Sequence, residues 1–152
     1  MTIPFEMSDV LDGLDLFNAH RFFDAHEVLE DVWRTAPPDQ PTRLHLQGLV
    51  QMAVAFHHWS SGNAVGAHSV LKRGLRNLDG AESSFSWIDF QRLRSDGELW
   101  LRYIESTCSA NREREGQIED RIEWRKENRT EDSTEHVSRD VRPDLPKILV
   151  RR

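Results

Sequence analysis

Cysteine is almost missing from this 152-residue chain, and the single thiol, Cys108, excludes both an internal disulfide framework and a zinc site built from cysteines. It is read as an inert thiol in a reducing cytoplasm. Basic runs are missing too. The balance is 26 acidic against 20 basic side chains, a formal charge of −6, which argues against nucleic acid as a partner. No apolar run approaches the roughly 20 residues of a membrane span; the longest mostly apolar stretch is Leu49 to Phe56. The opening MTIPFEMSDV lacks the basic and apolar regions of a signal peptide. Strand signals are absent as well, since no period-two stretch is bounded by turn residues. These absences leave a small, acidic, soluble helical protein, expected to be cytoplasmic, with neither nucleic acid nor membrane as partner.

What is present divides near Glu105. Residues 1–104 carry four of the five tryptophans and all seven phenylalanines, and read as the packed helical domain. Residues 105–152 hold 23 charged residues of 48, both signs mixed, and read as a charged, partly helical extension. Its last apolar strip, Leu145 to Val150, is expected to dock back on the domain. The charge run Arg112 to Glu135 reads as a solvated face, with Trp124, Ile118 and Ile122 expected to tack it to the domain or to a partner chain.

Helical spacing is plentiful in the first part. A short helix follows Ser8 as N-cap, with Val10, Leu11, Leu14 and Phe17 on one side. A second runs over 21–35 and stops before Pro37-Pro38. A third follows Pro41-Thr42, with Thr42 as cap, and ends near Ser60-Ser61-Gly62. The fourth spans Asn63 to Asp79-Gly80, where glycine suits a left-handed exit. The fifth follows the capping-box pattern Ser95-Asp96-Gly97-Glu98 and runs to Thr107. Residues 81–94 are left as a loop or short helix anchored by Trp87, Ile88, Phe90 and Leu93. The expected architecture is all-α: a compact bundle of about five helices built from antiparallel hairpins. Segments 22–33 and 64–75 align weakly, in the manner of helix-hairpin repeats of the tetratricopeptide kind.

The chemistry concentrates in the second helix. At roughly 100° per residue, Leu29, Phe22, Trp33, His26 and Glu30 share an arc about 100° wide. A core-facing arc is normally apolar, yet this one carries an imidazole and a carboxylate at i and i+4, which are neighbours on a helix. Glu27 lies at its shoulder. In the third helix Gln47, Gln51 and His58 cluster with Leu44 and Val54, and Leu46, Leu49, Met52, Ala53 and Phe56 line the opposite side. That helix is therefore expected to pack on two fronts. Buried amides need partners, so Gln47, Gln51 and His58 are expected to face His26 and Glu30 across the groove between the two helices. His57 points elsewhere on the wheel. His20, His45 and His136 read as exposed, and His68 as a boundary residue.

Imidazole with carboxylates suits either a transition metal or acid–base chemistry. The pattern H-E-x-x-E differs from the H-E-x-x-H of zinc proteases. A set of His26, Glu30 and His58 would supply three ligands to a divalent metal, with Glu27 left as base. The same residues equally suit a satisfied polar knot that fixes the packing of two helices.

Phe17-Asn18-Ala19-His20-Arg21-Phe22-Phe23-Asp24-Ala25-His26-Glu27-Val28-Leu29-Glu30-Asp31-Val32-Trp33 resembles the signature of domain-of-unknown-function family 309. So do the segment Leu46 to His58 and the Gly62-Asn63, Gly66-Ala67 and Leu71, Leu75, Leu78 ladder. The resemblance covers about residues 13–80. It implies a small all-helical protein of a kind sometimes labelled a predicted metal-dependent hydrolase, with no established reaction. It maps the family motif onto His26, Glu27, Glu30, Trp33, Gln47 and Gln51. His20 departs from the family, which commonly has glycine there, and Pro146-Lys147-Ile148 resembles the family's closing segment.

Two readings of function follow. In the first, the groove is an enzyme site: His26, Glu27 and Glu30 are catalytic, Gln47, Gln51 and Trp33 contact a small polar substrate, and His26, Glu30 and His58 hold a divalent metal. In the second, a helix-repeat module binds a protein partner and the polar cluster is structural. The aromatic content and the tail also suit a homodimer.

Overall fold

A computed structural model describes residues 5–38, 40–124 and 142–151. Among them five α-helices follow one another: α1 (Met7–Asn18), α2 (Phe22–Thr35), α3 (Pro41–Ser60), α4 (Ala64–Asn77) and α5 (Phe90–Trp124). A 3-10 turn, Ala81–Ser83, lies between α4 and α5. Among the described residues the strand-like pairing is a single antiparallel bridge between Ile88 and Val150. The fold is an all-α bundle.

Local chemistry sets the helix starts, at some places differently from the expectation. Asn63 caps α4 as its Oδ1 accepts the Gly66 N–H at 2.9 Å. At α1 the cap is Glu6 rather than Ser8: the Glu6 N–H donates to Asp9 Oδ2 at 3.3 Å, and the Ser8 hydroxyl bonds the Glu6 carboxylate. Pro41 opens α3, at a position whose missing N–H costs nothing; Thr42 instead donates its hydroxyl to Ser84 Oγ at 3.2 Å. The expected start of α5 at Ser95 is corrected to Phe90. Asp89 Oδ1 accepts the Arg92 N–H at 3.1 Å, so the helix is capped earlier and the Ser95–Glu98 pattern falls inside it. Its 35 residues continue without a break through Glu105. The readings of the side chains of Ile118, Ile122 and Trp124, of the charge run to Glu135, and of His136 lie outside the described residues.

Each helix packs chiefly on the next, α1 on α2, α2 on α3, α3 on α4 and α4 on α5. α3 therefore has a neighbour on either side, which accounts for its two apolar fronts. Close approach of α3 and α4 depends on small residues. A Cβ on Gly48 would lie 2.8 Å from Leu78 Cδ2, and one on Gly74 would lie 3.1 Å from the Gln51 Cβ. An aromatic path joins the layers: Phe17 to Phe22 at 5.2 Å between ring centres, Phe22 to Phe56 at 5.6 Å, Phe56 to Trp100 at 5.4 Å and Trp100 to Trp59 at 5.5 Å, edge-on except for the tilted Phe22–Phe56 pair.

The closing segment lies on this bundle. Asn18 brackets Ile148, which is 1% exposed, and the Trp100 indole N–H donates to the Asp144 carbonyl at 2.8 Å. The Asp89 N–H donates to the Leu149 carbonyl at 2.8 Å, tying the segment to the start of α5. No helix among the described residues is long and apolar enough to cross a membrane.

Candidate functional site

The i, i+4 spacing on α2 produces a ladder of three charged or polar side chains. The His26 Nε2 lies 2.7 Å from Glu30 Oε2, and Arg34 Nη2 donates to Glu30 Oε1 at 2.7 Å. Both carboxylate oxygens are thus engaged. The His26 and Glu30 side chains are only 26% and 28% exposed, whereas Arg34 reaches well into solvent and also approaches Asp31 at 3.7 Å. Glu27 is exposed, one step round the helix from the ladder.

Aromatic contacts mark the two ends of the α2–α3 groove. At one end the Phe23 ring, 50% exposed, sits between His26 (5.9 Å between ring centres) and His57 (5.3 Å). At the other the Arg43 guanidinium lies 4.4 Å over the Trp33 ring while donating to the Ala36 carbonyl at 2.6 Å. Trp33 packs against the core, and its buried indole N–H has no partner among the described residues. Because α2 and α3 run antiparallel, these two contacts define which stripe of α3 faces α2. At roughly 100° per residue, Gln47, Val50 and Val54 share the stripe of Arg43 and His57. Gln47 is half-buried there, with no side-chain hydrogen bond among the described residues.

The structure does not bring Gln51 and His58 to the ladder. Gln51 Oε1 accepts from Asn77 Nδ2 of α4 at 2.7 Å, and His58 Nδ1 lies 3.2 Å from Asn63 Nδ2, at the cap of α4. Gln51 thus faces α4, His58 is engaged locally at the α3–α4 turn, and it is His57 that approaches α2. The physical reason is that a helix with two neighbours has two half-apolar faces, and periodicity does not say which neighbour each face meets.

His58 is engaged with Asn63 at the α3–α4 turn, the Phe23 ring contacts both His26 and His57, and both oxygens of Glu30 are already paired. No group of three His, Cys, Asp or Glu among the described residues is placed to hold an ion. The set His26, Glu30 and His58 does not fit a metal.

His45 corrects another expectation. It is 4% exposed, its Nδ1 is 2.6 Å from Ser84 Oγ, and its Nε2 is 3.2 Å from the Asp79 carbonyl. A signal was available, for His45 falls at helical spacing with Leu49, Met52 and Phe56 on the buried side. Arg34 was also within reach of the sequence, four residues after Glu30. His68 does lie at a boundary, half-buried, with Nε2 on Glu105 at 2.9 Å. His20 is exposed and holds a left-handed φ of 62°, where glycine is at ease.

By its fold and this face, the molecule is a helical bundle whose second helix carries an imidazole–carboxylate–guanidinium ladder beside a half-exposed aromatic ring. Residues 10–70, from α1 into α4, match the model of the family described as Domain of unknown function (DUF309), and the resemblance carried by the α2 and α3 motifs is a family match over this span. An uncharacterized protein of Bacillus subtilis (strain 168), YpuF, is 36% identical over 69 residues, covering 45% of this chain and 39% of that protein. An uncharacterized protein of Aquifex aeolicus (strain VF5) is 28% identical over 79 residues, covering 52% of this chain and 23% of that protein. The chain thus spans less than half the length of these curated relatives.

Proposed function

We propose that the α2–α3 face binds a small polar ligand, with His26 and Gln47 supplying hydrogen bonds and Phe23 and His57 forming an aromatic bracket. The observation that supports this reading is the His26–Glu30 contact of 2.7 Å between side chains only about a quarter exposed. Glu30 lies against Nε2 of the imidazole, and Nδ1 has no hydrogen-bond partner among the described residues. A carboxylate-oriented ring with its second nitrogen open is suited to accepting a hydrogen bond or a proton. In that chemistry His26 touches the ligand and Glu30 and Arg34 position it. Glu27 is the second carboxylate, on the solvent side, and no step passes through a metal.

A second reading, a protein-interaction face, is favoured by the exposure of Phe23, since a half-exposed phenylalanine is an anchor suited to a partner surface. One experiment separates the two. The full chain is screened by thermal shift against inorganic phosphate, small carboxylates, nucleosides and sugars, with zinc and manganese as separate arms. The small-ligand reading expects a stabilising compound whose effect is lost in His26→Ala and His57→Ala and kept in His58→Ala. A compound whose effect survives His26→Ala would overturn it. A silent screen, together with a protein partner lost in Phe23→Ala, would favour the interaction face.

A further inference from the structure

A second site lies away from the α2–α3 face. Three parts of the chain, the α1–α2 turn at His20, the first turns of α5 and the closing segment, enclose a cleft of about 650 Å³. That volume is in the range of small-molecule sites, which run from roughly 300 to 1,000 Å³. Its apolar wall includes Leu99 and Leu149, which are 49% and 42% exposed.

The charges around this wall are unevenly satisfied. Arg92 and Asp96, one turn apart on α5, face each other with Nε to Oδ2 at 3.8 Å. Lys147 and Asp144 also line the cleft, and neither has an ion-pair partner among the described residues. The Asp144 main chain is held by the Trp100 indole and that of Ile148 by Asn18, so the segment bearing both charges is fastened at two points. One ammonium and one carboxylate therefore flank an open apolar surface on a fixed backbone.

We infer that this cleft is a binding site for a zwitterion with an apolar side chain, a free aliphatic amino acid. Its carboxylate pairs with Lys147, its ammonium with Asp144, and its side chain covers Leu99 and Leu149. A simple anion would leave Asp144 facing it unfavourably, and a simple cation would do the same at Lys147. The inference is independent of the reading of the α2–α3 face.

The test is calorimetric titration of the full chain with L-leucine, 4-methylpentanoate and 3-methylbutylamine, which carry the same apolar body with both charges, the negative alone or the positive alone. Leucine is expected to bind saturably, and each single-charge analogue at least about tenfold more weakly, as follows from losing one charge-assisted contact. Lys147→Met and Asp144→Asn are each expected to weaken leucine by a similar factor. Both side chains are exposed, so neither variant threatens the fold. His26→Ala leaves leucine binding unchanged, which separates this site from the other. Absence of saturable leucine binding, equal binding of either analogue, or insensitivity to both variants would overturn the assignment.

Discussion

Asn18, the last residue of α1, grips Ile148 by both its main-chain N–H and its carbonyl. Its Nδ2 donates to the Ile148 carbonyl at 3.0 Å, and the Ile148 N–H donates to its Oδ1 at 2.7 Å. A side-chain amide thus imitates one rung of a sheet, and it seats an isoleucine side chain in the core from 130 residues away.

Removing that amide strands a donor and an acceptor on a buried residue. Asn18→Ala is expected to cost about 2–3 kcal/mol in urea unfolding. It should also expose the closing segment to limited proteolysis before the helices are cut. Asn18→Asp, which still accepts but no longer donates, is expected to fall between the two.

Glu82 shapes the acid response. The hydrogen bond from the Arg94 guanidinium, acting against partial burial, holds its carboxyl below the ordinary value of 4.5. A depressed folded-state value contributes stability that is present above the unfolded value and is lost as pH falls through the folded one. The wild type is therefore expected to exceed Glu82→Gln in stability near neutral pH by a constant, modest margin, since both partners are partly exposed. The margin is expected to shrink below about pH 4.5 and vanish at lower pH, as read from unfolding midpoints across a pH series.

The buried His45 chain has a single direction. A carbonyl only accepts, so in the neutral ring Nε2–H donates to Asp79, Nδ1 accepts from the Ser84 hydroxyl, and Ser84 in turn accepts from Thr42. Nitrogen-15 NMR of the imidazole is expected to show the Nε2–H tautomer. His45→Ala is expected to cost about 2–4 kcal/mol through the cavity and the stranded carbonyl, and Ser84→Ala about 1 kcal/mol.

Gly48 sits where α3 meets the end of α4. A methyl there would lie 2.8 Å from Leu78 Cδ2 and 3.2 Å from the Asn77 backbone carbon. The Leu78 side chain can yield only in part, and the backbone cannot. Gly48→Ala is expected to destabilise by about 1–3 kcal/mol despite its better helix propensity, as measured by denaturant unfolding.

The relations legible in the sequence are those between near neighbours along the chain. Pro41, Asn63, Gly62 and Gly80 mark helix ends because proline's missing donor, a capping amide and a left-handed glycine act within one turn. The closeness of His26 and Glu30 is of the same kind, since one helical turn brings i and i+4 together wherever the helix lies. Arg34 and the buried His45 could have been read by the same rules. The start of α5 departs from the Ser95 expectation because two capping patterns, at Asp89 and at Ser95, compete within six residues, and packing of Phe90 and Leu93 into the core favours the earlier one.

Which polar groups meet across helices was decided only by tertiary structure. Gln51 took Asn77, His58 took Asn63, and His57 took Phe23, although all three lie on one helix with two half-apolar faces. Periodicity gives the angle between side chains on a single rod. It carries no information about rotation of that rod against its neighbours, which is set by where Gly48 and Gly74 let backbones approach and by how the aromatic path from Phe17 to Trp59 fills the space. The cleft beside Lys147 is tertiary for the same reason: its walls come from residues 20, 92–99 and 143–149, which share no local pattern and meet because the core admits Ile148.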